Sequence, residues 1–340
     1  MRNPAVYLLT IVTLLILAVP PPASAQAPKL NVVASTTILQ DIAQNVAGDK
    51  ANVDYLVPTD GDVHAFEPKP DDVRRIADAD LILVNGVGLE QFLDRLIGQS
   101  GTKGKVVVAS QGLPIQKLQV IEASANTQTT ATQPANAAGA LPANIIGISG
   151  SFQCGAPQAG QKIGECDPHL WQNVTNVIGY AINIRDAFSV ADPANAGAYN
   201  ANAGIYIARL QKLDADIFQG LEKIPVANRI LVTNHDALGY FLARYGLLIA
   251  GVVLPGGATD QDPDPKQVAD LIQVIQAKKV KAIFLENVAN DRLSRQIADQ
   301  SGVKVVQTLY TDALGDKGTP GETYIGMMYA NLKTLQDALQ

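Results

Sequence analysis

The sequence predicts an α/β protein built as two lobes of parallel-sheet α/β topology joined by one long rigid helix. Three observations carry this. Short apolar runs alternate with segments of helical periodicity from Leu30 to Ala109 and again from Arg229 to Leu339. Between these stretches Tyr199, Tyr206, Leu210, Leu213, Ile217 and Leu221 recur at helical spacing with no proline among them. With the first 25 residues set aside, about 315 of the 340 remain, more than one hydrophobic core usually organises.

The first segment is a secretory signal peptide. Arg2 precedes an apolar run from Tyr7 to Val19, and Ala23-Ser-Ala25 supplies small residues for cleavage. The run is shorter than the roughly 18 to 20 residues a membrane span requires. No cysteine stands at the cleavage site, so the expectation is a periplasmic or otherwise extracytoplasmic protein without a lipid anchor. The mature chain then opens with a buried strand at Leu30–Ser35. A helix over Ile38–Val46 follows, with Thr36 or Thr37 as N-cap and Gly48 at its end. A strand at Asn52–Val57, a helix at Lys69–Ala79, a strand at Leu81–Val84, a helix at Leu89–Ile97 and a strand at Lys105–Ala109 complete the first alternation.

Residues 122–141 have no periodicity and no aromatics, and read as a low-complexity loop. The long helix is expected from Pro193 to Leu221, with Asp192 as N-cap and proline at the first position, where a missing N–H costs nothing. After Pro225 come strands at Arg229–Thr233, Leu248–Leu254, Ala282–Leu285 and Lys304–Thr308, with helices between them and a last helix at Thr323–Leu339. The expected division is a signal peptide at 1–25, an N-terminal lobe at 26–190, a linking helix at 191–222 and a C-terminal lobe at 223–340.

Hydrophobic residues make up 47% of the chain and charged ones 17%, a normal globular balance. Removing Arg2 leaves 25 basic against 32 acidic residues, a formal charge of −7, which argues against a nucleic-acid partner. Cys154 and Cys166, in a glycine-rich stretch of an exported chain, are expected to close a local disulfide, with free thiols or metal contact as alternatives.

The chain has three histidines, His64, His169 and His235, each in a polar junction beside a strand or helix. Ligands of open α/β sheets bind outside the carboxyl ends of the strands, where His64 and His235 fall. Asp312, after the last strand, is the expected fourth ligand, with Glu286 as its competitor. Three imidazoles and a carboxylate suit four-coordinate zinc. The separations of 105, 66 and 77 residues match no local chelating motif, so spacing leaves the site open.

Several stretches in order resemble the zinc and manganese receptors among ABC-transporter solute-binding proteins, the TroA-like family. They are Val33-Ala-Ser-Thr-Thr37, His64-Ala-Phe-Glu-Pro68, Asp167-Pro-His-Leu-Trp171, Asp192-Pro193 with Tyr199 and Asn202, His235-Asp-Ala-Leu-Gly-Tyr-Phe241, and Tyr310-Thr-Asp-Ala-Leu-Gly315 followed by Gly321 and Tyr324. The resemblance implies that His64, His169, His235 and Asp312 ligate the metal, and that a monomer captures it outside the membrane for delivery to an ABC permease. Manganese and iron receptors of the family tend to carry glutamate where this chain has His235, which favours Zn2+ over Mn2+. The ending Leu309–Met328 instead resembles the manganese-leaning branch, and residues 122–141 stand where many zinc receptors have a histidine-rich loop.

Asp167, Glu67 and Asp236 are candidates to accept the second imidazole N–H of a ligand, or to cap a helix. For Asp167 the following proline favours capping. Trp171, Phe241, Tyr240 and Phe66 read as packing. A zinc hydrolase with Glu286 as general base is the alternative of another class, but four protein ligands would close the coordination sphere that catalysis needs open. Surface adhesion on the same fold is the third reading.

Overall fold

The computed structural model describes residues 29–59, 61–118, 166–254, 259, 263–288 and 291–340. The expected signal peptide, the loop 122–141 and Cys154 lie outside the described residues.

Strand β1 (Leu30–Thr36) runs directly into helix α1 (Thr37–Ala47). Thr36 serves both, ending the strand and accepting the Leu39 N–H on its Oγ1 at 3.3 Å. Gly48 ends the helix at φ 59°, and a Cβ there would lie 2.6 Å from Asn202 Nδ2. That amide donates to the Val46 carbonyl at 3.2 Å, so the glycine admits the cap that closes α1. Strand β2 (Ala51–Val57), helix α2 (Pro70–Ala77), strand β3 (Leu81–Val84), helix α3 (Leu93–Ser100) and strand β4 (Lys105–Val108) follow. All pairings are parallel, in the order β2-β1-β3-β4.

Helix α3 starts four residues later than the periodicity places it. Glu90 is buried and turned back, accepting the Asn85 N–H at 2.6 Å, the Gly86 N–H at 3.0 Å and the Ser35 hydroxyl at 2.7 Å. The segment before α3 therefore closes the turn after β3, in which Val87, a β-branched residue, is held at φ 59° between Gly86 and Gly88.

Helix α4 (Val174–Ala191) leads to helix α5 (Ala196–Leu221), whose 26 residues span about 39 Å. The expected first turn of the long helix is instead a separate 3₁₀ turn at Pro193–Asn195, with Asp192 Oδ2 accepting from Asn195 Nδ2 at 2.7 Å and from the Tyr199 hydroxyl at 2.8 Å.

The second half repeats the first in plan. Strand β5 (Ile230–His235), helix α6 (Gly239–Tyr245), strand β6 (Leu248–Leu254), helix α7 (Pro265–Ala277), strand β7 (Ala282–Glu286), helix α8 (Arg292–Ser301) and strand β8 (Lys304–Leu309) form a parallel sheet of order β6-β5-β7-β8. Helix α9 (Tyr324–Leu339) closes the chain, capped by Thr323 accepting from Gly326 N. Strand β5 runs two residues past its expected end, because His235 still pairs with Leu254 of β6.

One apolar core spans both halves. It runs from the first sheet through α1, α4, α5 and α9 to one face of the second sheet, taking Leu231, Ala282 and Phe284. The alternate residues Val232 and Ile283 face a smaller core under α7 and α8. The halves are also tied by hydrogen bonds from Leu314 N to Thr37 Oγ1 at 3.0 Å and from Tyr324 N to Asp41 Oδ2 at 3.0 Å. Among the described residues, no helix is long and apolar enough to cross a membrane.

Candidate metal centre

In each sheet the chain reverses its winding between the first and third strands, and the carboxyl ends there open a crevice. His235 ends β5 and Glu286 ends β7, one on either side of that point in the second sheet. Asp312 follows β8, His64 lies in the loop after β2, and His169 precedes a 3₁₀ turn at Leu170–Gln172. The two halves face each other, so four residues from four separate loops or strand ends meet.

One donor atom from each of His64, His169, His235 and Asp312 lies within 4.8 Å of all the others. Asp312 Oδ2 is 3.0 Å from His235 Nε2 and 3.4 Å from His64 Nε2, and Asp312 Oδ1 is 3.7 Å from His169 Nε2. His64 and His169 bring their Nε2 atoms to 3.3 Å. Bonds of 2.0–2.1 Å to a tetrahedral zinc would set donors roughly 3.3 Å apart, close to these separations. His169, His235 and Asp312 are buried. His235 Nε2 and both Asp312 oxygens face this centre without hydrogen-bond geometry to any described residue. Buried polar atoms left so are costly unless a ligand completes them, and this donor set matches a divalent transition metal.

The outward nitrogens are fixed by carboxylates. His169 donates from Nδ1 to Asp167 Oδ1 at 2.8 Å, and its backbone N–H reaches the same oxygen at 3.0 Å. Asp167 thus serves the imidazole, contrary to the helix cap expected of it, because the turn that follows starts at Leu170 with His169, not Asp167, at its cap position. Glu286 is not a fourth donor. Its Oε2 accepts from His235 Nδ1 and its Oε1 accepts the His235 backbone N–H at 2.9 Å. Both arrangements place the proton on Nδ1 and aim the Nε2 lone pair inward. Glu67 is exposed. Asp236 is buried beside the pair with its carboxyl pushed up to about 7, by burial and by the charge of Asp167.

Charge and burial oppose each other at His169, His235 and Asp312. Burial pushes the imidazoles of His169 and His235 down, but Asp312 with Asp167 raises the first, and Glu286 with Asp312 lifts the second well above its ordinary value. Burial likewise pushes the Asp312 carboxyl up, and the two imidazoles overturn this and hold it well below the usual range.

Tyr240 and Phe241 are core residues as expected, although the Tyr240 hydroxyl also donates to the Asp167 carbonyl at 3.1 Å and accepts the Gln116 N–H at 2.9 Å. Phe66 packs edge-on against Phe92. Cys166, next to Asp167, is disulfide-bonded. Sequence reasoning missed Asn85, whose amide donates to the Pro168 carbonyl at 2.9 Å and whose oxygen accepts from the Tyr180 hydroxyl. Its position just past the carboxyl end of β3 was the available signal.

Residues 32–338 match the family model described as zinc-uptake complex component A, periplasmic. The manganese-binding lipoprotein MntA of Halalkalibacterium halodurans is 30% identical over 310 residues, covering 91% of this chain and 88% of its own. The iron ABC transporter substrate-binding lipoprotein MtsA of Streptococcus pyogenes is 29% identical over 322 residues, covering 93% and 91%. The solved periplasmic zinc binding protein TroA from Treponema pallidum superposes with a TM-score of 0.75 at 25% identity, over 92% of this chain and 99% of its own. The family model spans nearly the whole chain after residue 31, and the chain belongs to that family, the metal-binding substrate-binding proteins of ABC transporters.

Proposed function

We propose that this chain captures a divalent cation outside the cytoplasm, zinc in preference to manganese, on His64, His169, His235 and Asp312, and passes it to a membrane permease. The observation that carries this is the set of four convergent donor residues, three of them buried, in which three donor atoms have no hydrogen-bond partner among the described residues. Three imidazoles and one carboxylate favour zinc, whereas oxygen-rich sets favour manganese. The names of the relatives, which bind manganese, iron or zinc, support a transition metal and leave the choice to the donors.

His64 and His169 come from the proposed lobe 26–190, and His235 and Asp312 from the lobe 223–340, with α5 inside the linking segment 191–222. The ion enters as cargo and displaces protons from His169 and His235, whose outward nitrogens stay bonded to Asp167 and Glu286. A core shared across the halves resists a wide hinge, so release proceeds by small displacements that separate the two ligand pairs. Glu286, with both oxygens bonded, is not free to act as the general base of a hydrolase.

The test is metal analysis of the purified protein, then competitive titration of zinc against manganese on wild type and His235→Glu. Substitution is expected to narrow the zinc preference by at least about tenfold, the effect of exchanging nitrogen for oxygen in the donor set. An unchanged preference overturns the selectivity argument, and wild-type zinc affinity in both His64→Ala and Asp312→Ala overturns the site.

A further inference from the structure

The residue before Asp312 carries an unusual cross-lobe contact. The Thr311 carbonyl accepts two side-chain donors, Trp171 Nε1 at 2.7 Å and Gln172 Nε2 at 2.9 Å. Both donors stand on the 3₁₀ turn that follows His169, and Trp171, Gln172 and Thr311 are buried. The turn is itself anchored, since the Tyr324 hydroxyl at the start of α9 donates to the Trp171 carbonyl at 2.7 Å. On its other side Thr311 donates from Oγ1 to Glu286 Oε2 at 3.1 Å, the carboxylate that holds His235.

We infer that Trp171 and Gln172 are positioning residues, which hold the Asp312 carboxylate in register with His169 and thereby set the lifetime of bound zinc and its preference over manganese. This rests on the donor set proposed above. The physical reason is the planarity of the peptide bond. The Thr311 oxygen, the Asp312 nitrogen and the Asp312 Cα share one rigid plane, so two donors that occupy both lone pairs of that oxygen also fix the Asp312 Cα. Asp312 is left with its φ and its side-chain torsions to place the carboxylate.

Its carboxylate is now unevenly placed, with Oδ2 toward His235 and His64 and Oδ1 toward His169 at 3.7 Å. A tilt of the Thr311–Asp312 plane would let both oxygens approach the centre. That wider, more oxygen-rich set suits manganese, while four-coordinate zinc loses its close cage. Gln172 also keeps a cost that packing alone does not explain, because its Oε1 is buried without a hydrogen-bond partner among the described residues. An apolar residue of similar size would avoid that cost, so the amide is retained for the donor it presents to Thr311.

The test uses Trp171→Phe, which keeps an aromatic ring beside His169, together with Gln172→Leu and the double variant. Zinc release is followed by stopped-flow into excess chelator, zinc and manganese affinities by competition, and the fold by thermal unfolding of the metal-free protein. The double variant is expected to release zinc about tenfold faster and to narrow the ratio of zinc to manganese affinity by a similar factor, the scale found for groups that orient metal ligands. Should the double variant fail to fold, Gln172→Leu alone carries the test, with an expected change of about threefold in each quantity. A wild-type release rate and ratio overturn the inference. So does a lowered metal-free melting temperature with the ratio untouched, which marks a merely structural role. Asp312→Ala separates the two levels of argument. If it binds zinc as wild type does, the donor set is wrong, and if it loses zinc while the tether variants behave as wild type, this inference alone is wrong.

Discussion

Replacing Glu286 by glutamine probes the centre without touching a donor. The carboxylate accepts three hydrogen bonds, from His235 N at 2.9 Å, from His235 Nδ1, and from Thr311 Oγ1 at 3.1 Å. A carboxamide of the same shape offers one oxygen and one NH2. With the oxygen toward the ring, the NH2 meets the His235 backbone N–H, and a buried N–H is left unpaired at about 1–3 kcal/mol. With the NH2 toward the ring, Nδ1 must become the acceptor and the proton moves to Nε2, the atom that faces the metal. Either outcome is expected to weaken zinc binding about 10- to 100-fold at pH 8, or roughly 1.4–2.8 kcal/mol.

A second signature separates this from general damage. The His235 imidazole is raised well above its ordinary value, against burial, chiefly by the charge of Glu286 and then that of Asp312. Zinc binds the neutral ring, so affinity falls as pH drops below the pKa of the metal-free protein. Removing the Glu286 charge lowers that pKa, and the affinity of Glu286→Gln should therefore decline less steeply between pH 8 and pH 6 than that of wild type. The assay is chelator competition across this range. An affinity within twofold of wild type at pH 8, with the same slope, would refute the reasoning.

Two further predictions follow from buried titratable groups. In the metal-free protein His169 and His235 both have raised pKa values, so zinc binding at pH 6.5 should release on the order of two protons, measured by calorimetry in buffers of different ionisation enthalpy; release of none would contradict the charge arrangement. Asp41, which accepts the Tyr324 N–H, has its carboxyl raised from 3.8 to about 6, mainly by burial. Its contribution to stability is full below 3.8 and lost as pH rises through about 6. Asp41→Asn keeps an oxygen for Tyr324 and removes the buried charge, so it should gain on the order of 2 kcal/mol at pH 8, after allowance for partial exposure, and close to nothing at pH 4. Urea unfolding at the two pH values checks this, and equal effects at both would count against it.

Much of the architecture was legible because its causes are local. Apolar runs, helical periodicity, Thr36 as a cap and Gly48 as a stop placed most elements within a few residues. The departures arose where a side-chain hydrogen bond outside the regular pattern decided the outcome. Glu90 belongs to a helical pattern by periodicity, yet it folds back to the turn after β3 and delays α3. Glu286 reads as a spare ligand because the imidazole it serves stands 51 residues away, whereas Asp167 has its imidazole two residues on and was misread because aspartate before proline is also a cap pattern.

The sequence by itself determined which four residues were candidates, since histidine is scarce, each copy stands at a junction, and a recurring set of motifs surrounds them. Tertiary structure alone decided that their donor atoms meet within 4.8 Å, and which carboxylates aim inward and which orient a ring. It also decided that Trp171 and Gln172 hold the Thr311 carbonyl across 140 and 139 residues of chain. The physical reason is range. Propensity and capping act over one turn, whereas a ligand sphere and its hydrogen-bonded support are set by packing between segments that touch only after both sheets have formed.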